Sequence, residues 1–389
     1  MDGARPQLAS LSSAYAETVV AINVVPLTVP LGRPVRNGTM TIADRDYIAV
    51  SVTANTGQRG TSIVFTRGTP VREVILGLIA PRLIGTELRD IAEVLERLAR
   101  ASESQFGRSG VFPKAMSVVD MAVWDLLGGI RDQSLTAMVG NSRQVPILMA
   151  LGYYREQNEI DTLRDEYAQL VRAGFRQFKI MAGGATPARD LERIAAVTDV
   201  LPSDATLAVD VNGVWNNASQ ALGFIDSLPI ELSFIEDPFR PDDLESLRLF
   251  RASTQTPVAV GEWESGASRF RLLLDEDLVD VVRTDVSTVG GIDEWLAVAE
   301  LAALNGKRVL PHYYPEVHVH LATATNNVVA IEAVPSLTGA DNFGELVVES
   351  SWAVGASTIA SDRPGFGVEW DWAAIRKYST SCEGEVSAL

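Results

Sequence analysis

Asp210, Glu236 and Glu262 follow one another at intervals of 26 residues, and each closes a short apolar run: TLAVD (206–210), LSFIE (232–236) and PVAVGE (257–262). A fixed interval of this kind marks one repeated unit, and a strand, a polar loop and an amphipathic helix take about that many residues. In a closed barrel of parallel strands the C-terminal strand ends share one mouth, so these acids converge there. Like charges at close range repel strongly unless a cation neutralises them. Oxygen-only ligation, without a nearby Cys or His, suits Mg²⁺ better than zinc.

The spacing continues downstream. Asp285 ends VDVVRTD, His312 ends RVLPH and Glu332 ends VVAIE, at steps of 23, 27 and 20 residues. Upstream, VPILMALGYY (145–154) and FRQFKIM (175–181) add two strands, the second carrying Lys179, which makes eight. Seven stretches between them have helical periodicity, among them 162–174, 188–201 and 292–306, each ended by Gly or a turn signal. No comparable helix follows Glu332. The expectation is therefore an α/β fold, a modified TIM barrel of (β/α)7β form over 141–344, with a C-terminal return from about 345 to 389.

The chain is longer than one barrel needs, since about 250 residues suffice and it has 389. Residues 1–140 differ in texture: strand-like AINVVPLTVPL, DYIAVSVTANTG and GTSIVFTRG precede helix-like VREVILGLIAPRLIG, LRDIAEVLERLAR and AMSVVDMAVWDLLGGI, an α+β pattern. Two stretches rich in Gly, Pro and Arg, LGRPVRNGTMT (31–41) and TRGTPVR (66–72), read either as ordinary turns or as loops lidding the mouth. A hydrophobic content of 47% supplies a sizeable core, while no apolar run reaches the roughly 20 residues of a membrane span. The first residues show no charged segment followed by an apolar stretch, so no secretory leader is expected. One cysteine, Cys382, rules out an internal disulfide framework and suits a reducing cytoplasm. A net charge of −17 argues against nucleic acid or an anionic membrane as partner.

The ordered set Lys179, Asp210, Glu236, Glu262, Asp285, His312 and Glu332, with the phrases DVNG, IEDP, VGE, DVSTVGGI and SVVDMAVWDLLGG, resembles the mandelate racemase subgroup of the enolase superfamily over nearly the whole chain. The resemblance implies an α+β capping domain over the barrel, made by 1–140 and completed by the C-terminal segment. It implies Mg²⁺ on Asp210, Glu236 and Glu262, an Asp285–His312 dyad, and Glu332 facing a substrate carboxylate. Such barrels are frequently multimeric, so a homo-oligomer acting on a small carboxylate is expected.

A proton beside a carboxylate is weakly acidic because its loss makes a dianion. Mg²⁺, Lys179 and a proton-sharing contact from Glu332 would all strengthen as that charge develops. A general base of Lys or His with Mg²⁺ is the pattern already described for enolase-superfamily sites. His312 is the candidate base, with Asp285 orienting its imidazole and raising its proton affinity. Glu332 can donate a hydrogen bond only when protonated, so a raised pKa is expected there.

Members with a base on each face carry Lys-x-Lys at the second strand end; here the sequence is Lys179, Ile180, Met181. Met181 cannot take a proton, which demotes racemisation. A one-base reaction survives: β-elimination of water from an acid sugar, giving a 2-keto-3-deoxy acid. Lys179 re-aimed, or Arg33, Arg36 or Arg67 from the cap, would leave a racemase or epimerase open, and a barrel that binds acids without turnover is the further alternative. A cycloisomerase would want a lysine where Asp285 stands. Asn212 reads as a substrate contact or a turn former, Asp237 as support behind Glu236, and Trp263 and Glu264 as pocket or loop. His318 and His320 read as packing residues, and Glu316 is open.

Overall fold

The computed structural model describes residues 7–38, 40–107, 109–155, 159–350 and 355–380; Cys382 lies outside them. Strands β1 (Val19–Asn37), β2 (Met40–Ala54) and β3 (Arg59–Phe65) form an antiparallel sheet in that order. The helix Val111–Arg131 lies against it so closely that a Cβ on Gly60 would fall 2.1 Å from the backbone nitrogen of Leu126. Only glycine fits that crossing.

The same helix explains the phrase SVVDMAVWDLLGG. Asp120 accepts from Ile292 N at 2.7 Å and Ser117 Oγ from Gly290 N at 2.9 Å. The helix Ile292–Leu304 has no capping side chain at Gly291, so its free N–H groups are satisfied from across the chain. Asp125 accepts from Thr61 N and Phe366 N, both at 2.8 Å, joining the sheet to the C-terminal return.

Parallel strands β4 (Val145–Leu151), β5 (Gln177–Met181), β6 (Thr206–Asp210), β7 (Ile235–Glu236), β8 (Val258–Val260), β9 (Val281–Val282) and β10 (Arg308–Val309) pair in sequence, and β11 (Ile331–Ala333) pairs with β4. A bridge between Val309 and Val328, just before β11, brings the two ends of the curled sheet together. The helices Glu159–Arg172, Pro187–Thr198 and Ile292–Leu304 lie where periodicity places them. After β11 come only the 3-10 turns Ser336–Thr338 and Phe343–Leu346 before short strands and the helix Trp372–Tyr378.

Strand alternation decides what faces inward. Phe178 and Ile180 pack outward with the helices, and Tyr167 meets the Phe178 ring at 5.5 Å. Lys179 points into the barrel, where its register partners are Ala150 on β4 and Ala208 on β6. Two alanines flanking one lysine leave room for a long side chain inside a narrow barrel.

Two stretches differ from expectation. Residues 31–38 and 40–41 belong to the tip of a long hairpin, with Val35 paired to Ile42, Arg36 to Thr41 and Asn37 to Met40. The turn begins at Gly38, whose φ of +34° suits a tight hairpin, a signal that the surrounding Pro and Arg obscure. Residues 71–85 are not one α-helix: Val71–Val74 gives way to a π turn, Ile75–Ile79, before Ala80–Leu83. Pro81 has no N–H to offer the Gly77 carbonyl and its ring crowds it, so the chain widens there.

Candidate active site

Asp210 and Glu236 end β6 and β7, and Glu262 lies two residues beyond β8. All three are buried, and one oxygen of each lies within 4.8 Å of the others. Burial pushes the Asp210 and Glu236 carboxyls upward, and neighbouring acids add to it. Asp237 and Glu332 enlarge the acidic excess against two buried cations, Lys179 and Arg283. An all-oxygen set with surplus negative charge fits a hard divalent cation such as Mg²⁺.

Lys179 Nζ lies 2.7 Å from Glu332, 2.9 Å from Glu236 and 3.4 Å from Asp210. Burial opposes its charge, but Glu236 and Glu332 outweigh burial and raise its pKa. Lys179 is therefore a fixed cation, which counts against its re-aiming as a base.

Arg283 is a residue that sequence reasoning misses. It is wholly buried; Nε reaches Glu236 at 2.8 Å, Nη1 reaches the Leu310 carbonyl at 2.7 Å, and Nη2 pairs with Glu332. An arginine within the apolar strand VDVVRTD, two residues before Asp285 and so on the same face, is the available signal. Its presence corrects the expectation for Glu332. Burial raises that carboxyl, yet Arg283 and Lys179 together pull it well below the ordinary range. Glu332 is an ionised acceptor, not a hydrogen-bond donor.

His312 Nδ1 lies 2.9 Å from Asp285 Oδ2, and Nε2 lies 3.1 Å from Glu262 Oε2. Burial lowers the imidazole pKa, but Glu262 and Asp285 more than compensate and raise it. Burial pushes the Asp285 carboxyl up, but its bond to His312, the nearby charges of His312 and His318 and its bond to Ser287 together bring it below the ordinary value. Ser287 N also donates to it at 2.7 Å. Tyr313 and Tyr314 follow with φ of +50° and +47°, turning the chain sharply into the helix Pro315–Thr323.

Asn212 does not offer a free amide. Its Nδ2 donates to Asp210 Oδ1, and its Oδ1 accepts from Asn37 Nδ2 at 2.7 Å. It links the acid cluster to the hairpin tip. Met181 borders the cavity, with Sδ 4.0 Å from Asn212 Nδ2. Lys179, Asp210, Glu262, His312 and Glu332 share a cavity of about 310 Å³ with hairpin residues 40–46, Arg67, Tyr153 and Trp263. Arg67 Nη2 lies 3.8 Å from Glu262 and its guanidinium sits 4.2 Å above Trp263. Arg36 instead contacts Tyr154, and Arg33 is exposed.

The remaining candidates separate from this cavity. Asp237 is buried beside a smaller pocket, and Glu264 pairs with Arg269 at 2.9 Å. His318 accepts from Val286 N and bonds the Tyr313 carbonyl, while His320 lies between Thr136 and the Phe366 carbonyl. Both are satisfied packing histidines. Glu316 borders a second cavity behind Tyr313.

A curled parallel sheet with acids at successive strand ends, under an antiparallel cap, defines an enzyme of the enolase superfamily. The chain belongs to the mandelate racemase/muconate lactonizing enzyme family: residues 19–140 match its N-terminal domain and residues 162–374 the enolase C-terminal domain-like unit. Arabinonate dehydratase of Saccharolobus solfataricus is 29% identical over 79% of this chain and 83% of its own. D-galactarolactone cycloisomerase of Agrobacterium fabrum is 27% identical over 90% and 95%. L-talarate dehydratase from Polaromonas sp. JS666, solved with Mg and L-glucarate, superimposes with a TM-score of 0.82 at 25% identity, covering 94% of this chain and 98% of that one.

Proposed function

We propose that the protein is a Mg²⁺-dependent acid-sugar dehydratase, forming a 2-keto-3-deoxy acid by loss of water. The observation that carries this reading is the asymmetry of the site: a His312–Asp285 dyad on one side, and Met181 with an immobilised Lys179 on the other. One base faces the cavity, which suits elimination better than a reaction needing a base on each face. Dehydratases among the relatives support the same chemistry.

Asp210, Glu236 and Glu262 would hold Mg²⁺, which when bound supplies positive charge to the substrate carboxylate. His312 removes the α-proton through Nε2, and Asp285 fixes the tautomer and steadies the imidazolium. Lys179 adds a permanent positive charge as the dianion forms. Glu332 holds Lys179 and Arg283 in place from the eighth strand. Asn212 orients Asp210. Residues 1–140, completed from about 345 onward, serve as the cap, and 141–344 as the catalytic barrel.

The single cysteine suits a reducing cytoplasm and the barrel form suits a homo-oligomer. Among the described residues no helix is long and apolar enough to cross a membrane. The test is a panel of aldonic and aldaric acids with Mg²⁺, read by derivatising the carbonyl formed. A 2-keto acid supports the reading. Inversion at the α-carbon without 2-keto acid would instead favour a racemase or epimerase, and neither outcome, a barrel that only binds.

A further inference from the structure

Tyr153 lies at the barrel mouth two residues beyond β4 and lines the same cavity as Lys179, Met181, His312 and Glu332. Gly152 sets its direction. With a φ of +84°, this residue turns the chain where β4 passes β5, and a Cβ there would lie 2.5 Å from Ile180 Cγ1. The neighbouring Tyr154 is committed elsewhere: its hydroxyl donates to Asp190, and the guanidinium groups of Arg36 and Arg193 lie 4.7 and 3.7 Å from its ring. Of two adjacent tyrosines, one is anchored and the other faces the cavity.

The strand order places Tyr153 between two key positions. β4 neighbours β5, which carries Met181, on one side and β11, which carries Glu332, on the other. Where a second lysine would have stood on β5, the adjacent strand end offers a phenol.

Loss of water needs a proton for the departing hydroxyl. Lys179 is held by three carboxylates, His312 lies between Asp285 and Glu262, and the Tyr313 hydroxyl donates to Asp341. Arg45 and Arg67 do not give up protons. The Tyr153 hydroxyl has no hydrogen-bond partner among the described residues. Resting on the dehydratase reading, we propose that Tyr153 is a further catalytic residue, the general acid that protonates the leaving β-hydroxyl while His312 takes the α-proton.

The electrons of the α-C–H bond become the new carbon–carbon double bond. The β-C–O bond breaks with its pair on oxygen, and the phenolic proton completes a water molecule. Tyr153 is left as phenolate and His312 as imidazolium. Ketonisation restores both: the enol hydroxyl returns a proton to the phenolate, and the imidazolium delivers its proton to the β-carbon. Burial pushes the phenol above its usual 10, so the proton is present at neutral pH, while Arg45 and Lys179 oppose that shift and favour the transient phenolate.

Tyr153→Phe keeps the ring and its packing. The experiment compares it with the unmodified protein on aldonates and aldarates, arabinonate and glucarate among them, and on analogues with fluorine replacing the β-hydroxyl. The expected result is a loss of about a hundredfold or more in kcat on the hydroxy acid, the size typical of a missing general acid, with KM nearly unchanged. Deuterium from solvent should still enter recovered substrate at the α-carbon. On the fluoro analogue, whose leaving group needs little protonation, the loss should shrink to within about threefold. Equal losses on both substrates, or a kcat on the hydroxy acid unaltered by the substitution, would overturn the assignment while leaving the dehydratase reading intact. Failure of the unmodified protein to dehydrate any acid would overturn both.

Discussion

Arg283 and Glu332 form a buried ion pair across the barrel mouth, from β9 to β11, with Arg283 also held to Glu236 at 2.8 Å. The pairing makes Glu332 a member of the charge framework beneath the cavity. Arg283→Met should leave Glu332 and Glu236 short of a buried partner and cost about 3–5 kcal/mol of stability. Adding Glu332→Gln should recover part of that cost. Urea unfolding of the two single variants and the double variant checks it; additive losses would show that the pair is not coupled.

His312→Asn should abolish exchange of the substrate α-hydrogen with deuterated solvent and lower kcat by about a thousandfold, while Mg²⁺ binding stays close to normal. Isotope exchange and calorimetric titration of the metal separate these effects. Exchange that survives would move the base to another group.

The pH profile carries a sign. His312 must be neutral to accept a proton, and its pKa is raised above 6.5, so kcat/KM should climb as pH rises through a value above 6.5. Asp285 contributes to that raising. In Asp285→Asn the acidic limb should therefore move to lower pH even as the maximum falls, and a limb that does not move would detach Asp285 from the base.

Mg²⁺ should stabilise the protein, because it relieves repulsion among acids already assembled. At a hundred times its Kd, the gain from mass action is about 2.7 kcal/mol. Chelation should lower Tm accordingly. Glu236→Gln should weaken both metal affinity and turnover; unchanged affinity would remove Glu236 from the metal's ligands.

His318 and His320 govern a different pH range. Burial lowers each to about 4 from 6.5, so each contributes stability fully above pH 6.5 that is lost as pH falls to 4. Asp125, raised by burial to about 6, opposes this, since its contribution is present below 3.8 and lost as pH rises to 6. His320→Gln should flatten the fall in stability between pH 6.5 and 4, measured by unfolding at several pH values; an unchanged slope would assign the fall to other groups.

The barrel is legible because its strands and helices repeat at a near-constant period, and the acids and His312 because each sits where an apolar run ends. Arg283 escapes because strand alternation tells which face a residue takes but not whom it meets across the barrel. The state of Glu332 depends on that unseen partner. The hairpin tip is obscured by Gly, Pro and Arg, whose pairing across Arg36 and Thr41 depends on register. Tyr153 falls at the end of an apparent strand, and its direction follows from a turn at Gly152 that composition does not reveal.

The chain from Asn37 through Asn212 to Asp210 gives the hairpin a seam. On one side of it, Arg36 exchanges backbone hydrogen bonds with Tyr154; on the other, residues 40–46 border the cavity. A graft that preserves Arg36 and Asn37 but replaces the stretch beyond them could alter which molecules enter without disturbing the acid cluster. Changes at Asn37 itself would reach Asp210 through a single intervening side chain. Selection on substrate choice thus has one stretch open to it and one hinge where drift is costly.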